Sequence, residues 1–188
     1  SFNNIRIASL ELLDLYPDRR ITVIDSLTAS SSLGLMVVKA CMMKTENYSY
    51  NQIVDYLESN KNFYHIEFYV NDLNYLARGG RLNPTVAKIG SIISIKPILS
   101  ITDKGTIEAV CKARKISGAL KQIKERYLAS SVDMHMICIV HSNNLDKALS
   151  LQTELELEHS FEHVFITELC PTLGSHTGPD CLGLAYIK

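Results

Sequence analysis

The stretch Asp72–Leu82, D-L-N-Y-L-A-R-G-G-R-L, constrains this chain more than any other. Asp72 is a helix N-cap residue, able to accept a hydrogen bond from the first free N–H groups. Leu73, Leu76 and Ala77 follow at helical spacing and make one face apolar. Gly79 and Gly80 then end the helix, because glycine enters the left-handed conformation of a C′ residue at little steric cost. Arg81 leaves that turn on a backbone with no side chain at the two preceding positions. A ligand approaching there meets a guanidinium, a planar fork suited to a carboxylate or phosphate. Taken alone, the same residues also describe a plain helix cap followed by a solvated arginine.

The chain has 188 residues, 46% hydrophobic and 21% charged, which gives one large domain or two small ones with a real core. A formal net charge of −1 offers no attraction to nucleic acid or an anionic membrane. No apolar run reaches the roughly 18–20 residues of a spanning helix, so stable membrane insertion is not expected. The apolar run Leu33–Met43 is short and interrupted by Lys39. Five cysteines, at 41, 111, 138, 170 and 181, form no C-x-x-C pair and sit mostly in apolar runs. They read as small hydrophobes in a reducing cytoplasm. The six histidines lack metal-site spacing, so no metal or cofactor is expected.

Along the chain, Ile5, Ala8, Leu12, Leu13 and Leu15 predict a helix ending near Pro17. Arg20–Asp25, R-I-T-V-I-D, reads as a buried strand. A hydroxyl-rich loop, Ser26 to Ser32, leads into a helix through Met43, an arrangement that suits an anion but equally an ordinary capped connection. Ser49-Tyr50-Asn51-Gln52 fits a capping box opening a helix to Ser59. Ile66–Val70 is the next strand. With one clear strand before residue 60, this part does not make a complete sheet, and the missing strands are expected upstream.

Asn83-Pro84 opens a further predicted helix running to about Ile92. Two β-rich runs, Ile95–Ile101 and Thr106–Cys111, flank Asp103-Lys104-Gly105 and predict a hairpin. Helices at Ala113–Leu128 and Leu145–Leu157 alternate with strands at Met134–Val140 and Val164–Leu169. A loop, C-P-T-L-G-S-H-T-G-P-D, then leads to the apolar run Leu182–Ile187. In it, Gly174 to Pro179 gathers backbone N–H groups, two hydroxyls and an imidazole, a set suited to an oxyanion. A Ser–His nucleophile pair is the sharper alternative, although adjacent residues seldom aim at each other and no acid is placed to orient His176.

Taken in order, I-D-S with its serine-rich loop, D-L-x-Y-L-x-R-G-G-R, Ile95-Lys96-Pro97-Ile98-Leu99 and G-S-H-T-G-P resemble the DegV family along essentially the whole chain. Two positions depart from the family's G-T-H-x-G-P-G loop: Ser175 replaces the threonine, and Asp180 stands where glycine is usual. Ser1-Phe2-Asn3-Asn4 looks like the end of the family's S-G-T-Y-x-x stretch, so the resemblance implies a chain lacking the N-terminal part.

That resemblance implies an α/β, two-domain architecture. Residues 1–63 would be the C-terminal part of a first domain, an incomplete α/β/α layer on a parallel sheet. Residues 64–188 would form a second, α+β domain with a mixed, partly antiparallel sheet. It further implies a cytoplasmic protein that binds a long-chain fatty acid with the carboxylate at the interdomain cleft. The protein would present that carboxylate to an ATP-binding bacterial fatty acid kinase subunit, for phosphorylation to an acyl phosphate, rather than act as a stand-alone enzyme. Arg81 and His176 would be the head-group residues, with Thr177, Ser175 and Gly80 as further ligand-binding candidates. The alternatives are another small anionic or lipidic ligand in the same cleft, or a hydrolase using Ser175 or Ser26.

Overall fold

A computed structural model describes residues 2–82, 95–130 and 133–188. Three helices open the chain: α1 (Phe2–Leu15), α2 (Ser30–Thr45) and α3 (Tyr50–Asn60). Strand β1 (Tyr64–Tyr69), the short helix α4 (Asn74–Arg78), and strands β2 (Ile95–Ile101) and β3 (Ile107–Arg114) follow. Helix α5 (Lys115–Leu128), β4 (Asp133–Ser142), α6 (Leu145–Glu156), β5 (His163–Glu168), α7 (Pro171–Thr177) and β6 (Cys181–Ile187) complete the order. The predicted helix from Asn83 to about Ile92 lies outside the described residues.

The strands form one six-stranded sheet in the order β3-β2-β1-β6-β4-β5. Pairing is antiparallel throughout except between β4 and β5, which are parallel and joined through α6. The fold is therefore α/β with a mixed sheet, as the sequence predicts. The D-K-G hairpin forms between β2 and β3, and a bulge at Ile98/Leu99 shifts its register.

Period-two alternation builds two cores, one on each face of the sheet. On one face, Tyr64, Ile66, Phe68, Leu99, Cys138, Val140 and Ala185 meet Leu35 and Met36 of α2. Leu73, Leu76 and Leu82, from α4 and its flanks, join this same core. On the other face, Tyr69, Ile98, Ile137, Ile139, Leu182, Leu184 and Tyr186 receive Ile123 and Tyr127 of α5 and Leu151 and Leu155 of α6. Gly183 sits opposite Phe68 in the ladder. A Cβ there would fall 2.7 Å from the Cβ of Phe68, so glycine lets β1 and β6 pair at that position.

One charge is buried in this second face. Glu67 of β1 is 3% exposed and accepts from Arg126 of α5, at 2.9 Å from Nε to each carboxylate oxygen and 2.8 Å from the guanidinium Nη2 to Oε1. The bidentate fork satisfies the carboxylate that the sheet takes out of water. Burial also pushes the Tyr69 and Tyr186 phenols and the Cys181 thiol up, each to about 12.

Two sequence expectations are corrected. Arg20–Asp25 is not a strand: it belongs to no ladder of the sheet. β-Branched residues favour an extended backbone, but a strand also needs a neighbour to pair with. This run is held by side chains instead. The Arg20 guanidinium lies 4.1 Å from the centre of the Tyr50 ring and donates to Asn51, and the Tyr50 hydroxyl donates to Thr22 at 2.6 Å. Second, the segment carrying Ser175, His176 and Thr177 is helical rather than a loop. Pro171 sits at the start of α7, where its fixed φ suits a first turn. Gly178 closes the helix at φ +71°, its N–H donating to Gly174.

Candidate functional site

The helix end predicted at Gly79-Gly80 forms as a Schellman turn. Asn74 N–H donates to the Asp72 carboxylate at 2.9 Å, an Asx turn that lies one residue ahead of the N-cap, which is Leu73 rather than the expected Asp72. At the other end, Arg81 N–H donates to the Leu76 carbonyl and Gly80 N–H to that of Ala77, with Gly80 at φ +68°. Among the described residues, a Cβ at Gly80 would meet nothing within 4 Å. Glycine is needed there for the left-handed backbone rather than for clearance from any of them.

Gly79 differs. Its φ is −74°, an ordinary helical value. A Cβ on it would lie 2.1 Å from Nδ1 of His176. The partner relationship is reciprocal: a Cβ on Gly178 would lie 2.6 Å from Cδ2 of Tyr75. Each of the two sequence motifs thus contributes one glycine to seat the other's ring. The tertiary structure joins α4 to α7 through these two contacts, although a hundred residues of sequence separate the motifs.

Arg81 completes the group. Its side chain is exposed, and its Nη1 donates to the Gly79 carbonyl at 2.6 Å. The guanidinium of Arg81 and the imidazole of His176 therefore both touch Gly79, one at its carbonyl and the other at its α-carbon. Such a pair offers a charged planar donor beside an imidazole, the chemistry of a carboxylate or phosphate site.

The other hydroxyl candidates do not point to this place. Ser175 is exposed, and its hydroxyl donates to the Thr172 carbonyl at 2.8 Å. Thr177 is buried, and its hydroxyl donates back to Leu173 at 3.2 Å. Ser26 donates to the Thr28 carbonyl at 3.1 Å, and Thr28 and Ser32 bond each other at 2.5 Å. Ser26, Thr28 and Ser32 thus satisfy their hydroxyls within the loop, where Leu27 and Ser30 take positive φ. Neither Ser175 nor Ser26 bonds an imidazole, so neither forms the nucleophile–base pair that a hydrolase requires. Ser26 and Thr28 instead line a shallow depression with Lys61, His65 and Asp103, which no residue of α4 or α7 lines. Among the described residues, no cluster of His, Cys, Asp and Glu could hold a metal ion. No described helix is long and apolar enough to cross a membrane.

Two contributions escaped sequence reading. Tyr75 stands in the sequence as a fixed position of D-L-x-Y-L with no role assigned to it, yet its ring closes over Gly178 and lies 4.8 Å from the Arg78 guanidinium. Lys96 of the I-K-P-I-L run donates to the Asn71 carbonyl and amide oxygens at 2.6 and 2.9 Å. This ties β2 to the residue before Asp72. The departure at Asp180 also has a backbone explanation: φ there is +59°, which glycine adopts freely and aspartate tolerates.

Fold and site together define an α/β protein with a two-motif, anion-suited surface built on paired glycines. The profile described as "Uncharacterised protein, DegV family" matches residues 1–188. The chain belongs to the DegV family. It is 33% identical over 189 residues to a DegV domain-containing protein of Clostridium perfringens, covering all of this chain and 65% of that one. The chain therefore spans about two-thirds of the length of such relatives. Among solved structures, a fatty acid binding DegV family protein of Streptococcus agalactiae superposes with a TM-score of 0.82 at 28% identity, covering 99% of this chain and 65% of the other. A DegV family protein of Thermus thermophilus, described by its fatty acid binding, gives 0.83 at 28%, covering 97% and 66%. The Streptococcus pneumoniae Fatty Acid Kinase (Fak) B3 protein, loaded with linoleic acid, shares the fold at a TM-score of 0.92 with 20% identity, covering 100% and 66%.

Proposed function

We propose that this chain is part of a cytoplasmic fatty acid-binding protein that holds a long-chain acid by its carboxylate at Arg81 and His176. The observation that carries the reading is the meeting of these two side chains on Gly79. Gly80 opens the turn to the head group, while Ser175 and Thr177, whose hydroxyls bond back to Thr172 and Leu173, serve only by carrying the backbone of α7 on either side of His176. The solved relatives at 28% identity, which are described by their fatty acid binding, support the ligand class.

The pocket lies in the cleft between two units, residues 1–63 with the remainder of a first domain, and residues 64–188. The protein is a carrier rather than a stand-alone enzyme: it presents the carboxylate to an ATP-binding kinase subunit, which phosphorylates it to an acyl phosphate. The family resemblance supports this step, and one protein of the same fold is itself called a fatty acid kinase B3 protein.

Magnitudes favour a carrier. A tail of about sixteen carbons, buried at ~0.8 kcal/mol per CH₂, contributes about 12 kcal/mol gross. The tail then dominates affinity, and the head group needs only to be paired rather than left desolvated. Mass spectrometry of an organic extract of the purified full-length protein tests the reading. Copurifying acyl chains are expected; an extract without them, from protein that also fails to take up added fatty acid, rejects it.

A further inference from the structure

We infer that Gly79 is a positioning residue for His176, seating the ring so that Nδ1 is turned to the Gly79 α-carbon and Nε2 is the nitrogen that a ligand meets. The inference deepens the proposed function and rests on it for the ligand, but its geometric part stands alone.

A Cβ on Gly79 would fall 2.1 Å from Nδ1, 3.0 Å from Cε1 and 3.3 Å from Cγ of His176. The Cγ–Nδ1–Cε1 edge of the ring therefore lies against this α-carbon, with Nε2 on the far side. The backbone does not ask for glycine here, because φ −74° and ψ −4° are open to any residue. What the position requires is the missing side chain, and the ring of His176 occupies its place.

The contact also selects a tautomer. A hydrogen of the Gly79 α-carbon takes the direction of the absent Cβ and points at Nδ1. A bare Nδ1 lone pair accepts such a C–H contact, whereas an N–H there would set two hydrogens against each other. In the neutral ring the proton accordingly sits on Nε2. Among the described residues neither ring nitrogen has a hydrogen-bond partner, so the Nε2–H remains free to donate.

The ligand consequence is specific. A carboxylate or a phosphate oxygen accepts from Nε2–H, while an ammonium group or another pure donor finds no acceptor there. The same glycine directs Arg81 through its carbonyl. One residue thus sets both donors, and the site takes an acceptor-only anionic head group rather than the corresponding amine.

Two measurements on the full-length protein test this. In long-range ¹H–¹⁵N correlation spectra at alkaline pH, without ligand, His176 should show the Nε2–H tautomer; an Nδ1–H tautomer overturns the inference. The variant Gly79→Ala keeps an allowed backbone and should retain its circular dichroism. It should lose the wild-type His176 signature and bind fatty acid about ten-fold or more weakly. In a His176→Ala background the same substitution should have no further effect on binding. An equal loss with and without His176 means that Gly79 acts otherwise, and overturns the inference. Because the tautomer is read without ligand, it decides the matter even for a protein that binds no fatty acid, a result that would reject the proposed function instead.

Discussion

The ring of Tyr75 covers the α-carbon of Gly178, where a Cβ would fall 2.6 Å from Cδ2, 2.7 Å from Cε2 and 2.9 Å from Cγ. Gly178 also holds φ at +71°, so a side chain there is opposed twice, by the tyrosine and by its own backbone. Gly178→Ala should cost at least about 2 kcal/mol, from strain of roughly 1–3 kcal/mol in a φ +71°, ψ −176° backbone that is nearly glycine-only, plus overpacking. Urea denaturation reads this directly. A loss below half a kcal/mol would mean that α4 and α7 can separate without consequence for the fold.

The Glu67–Arg126 pair makes a second, distinguishable prediction. Arg126→Met removes the guanidinium and strands a carboxylate that is 3% exposed, so it should destabilise by about 3 kcal/mol. Adding Glu67→Gln removes the stranded charge and should restore a large part of that loss. A double variant as unstable as the single one would place the effect in lost packing of the arginine stem.

Stability should fall in alkali. Burial raises the Tyr69 and Tyr186 phenols from 10.0 and the Cys181 thiol from 9.0, each to about 12. Above pH 9–10 the unfolded chain releases these protons while the folded chain keeps them, so unfolding becomes more favourable as pH rises. The stabilisation is complete below pH 9 and is lost progressively toward pH 12. Thermal melts across that range should show a steady decrease in Tm. Tyr69→Phe should flatten the slope, although it also removes the 3.0 Å bond that Asn144 donates to the phenol.

Arg81→Ala should separate retention from presentation in the full-length protein. Under the proposed function the acyl tail supplies most of the affinity, so lipid should still copurify, while phosphorylation by the proposed kinase subunit should fall at least about ten-fold. A variant that releases its lipid but is phosphorylated normally when resupplied would contradict the role given to Arg81.

Much of the local architecture was legible in the residues. Ser49 and Gln52 form the reciprocal capping box that their spacing predicts. The D-K-G turn forms between two β-rich runs, and Gly80 takes the left-handed conformation expected after Arg78. These features depend on contacts within a few residues, where turn chemistry and backbone conformation decide the outcome. The errors arose where local preference met a longer-range requirement. Arg20–Asp25 has the composition of a strand but joins no ladder, and Pro171–Thr177 looks like a loop because Gly174 and the segment's hydroxyls obscure a helix begun by proline.

By itself, then, the sequence determined the helix cap before Arg81, the hairpin, the alternation that gives the sheet two apolar faces, and membership of a family. Only the tertiary structure decided that the imidazole of His176 occupies the space left by Gly79, that Tyr75 occupies the space left by Gly178, and that Ser175 and Thr177 turn their hydroxyls back to their own helix. A glycine's missing side chain has no meaning until something fills it, and what fills it here comes from the far end of the chain, brought in by the packing of α4 against α7.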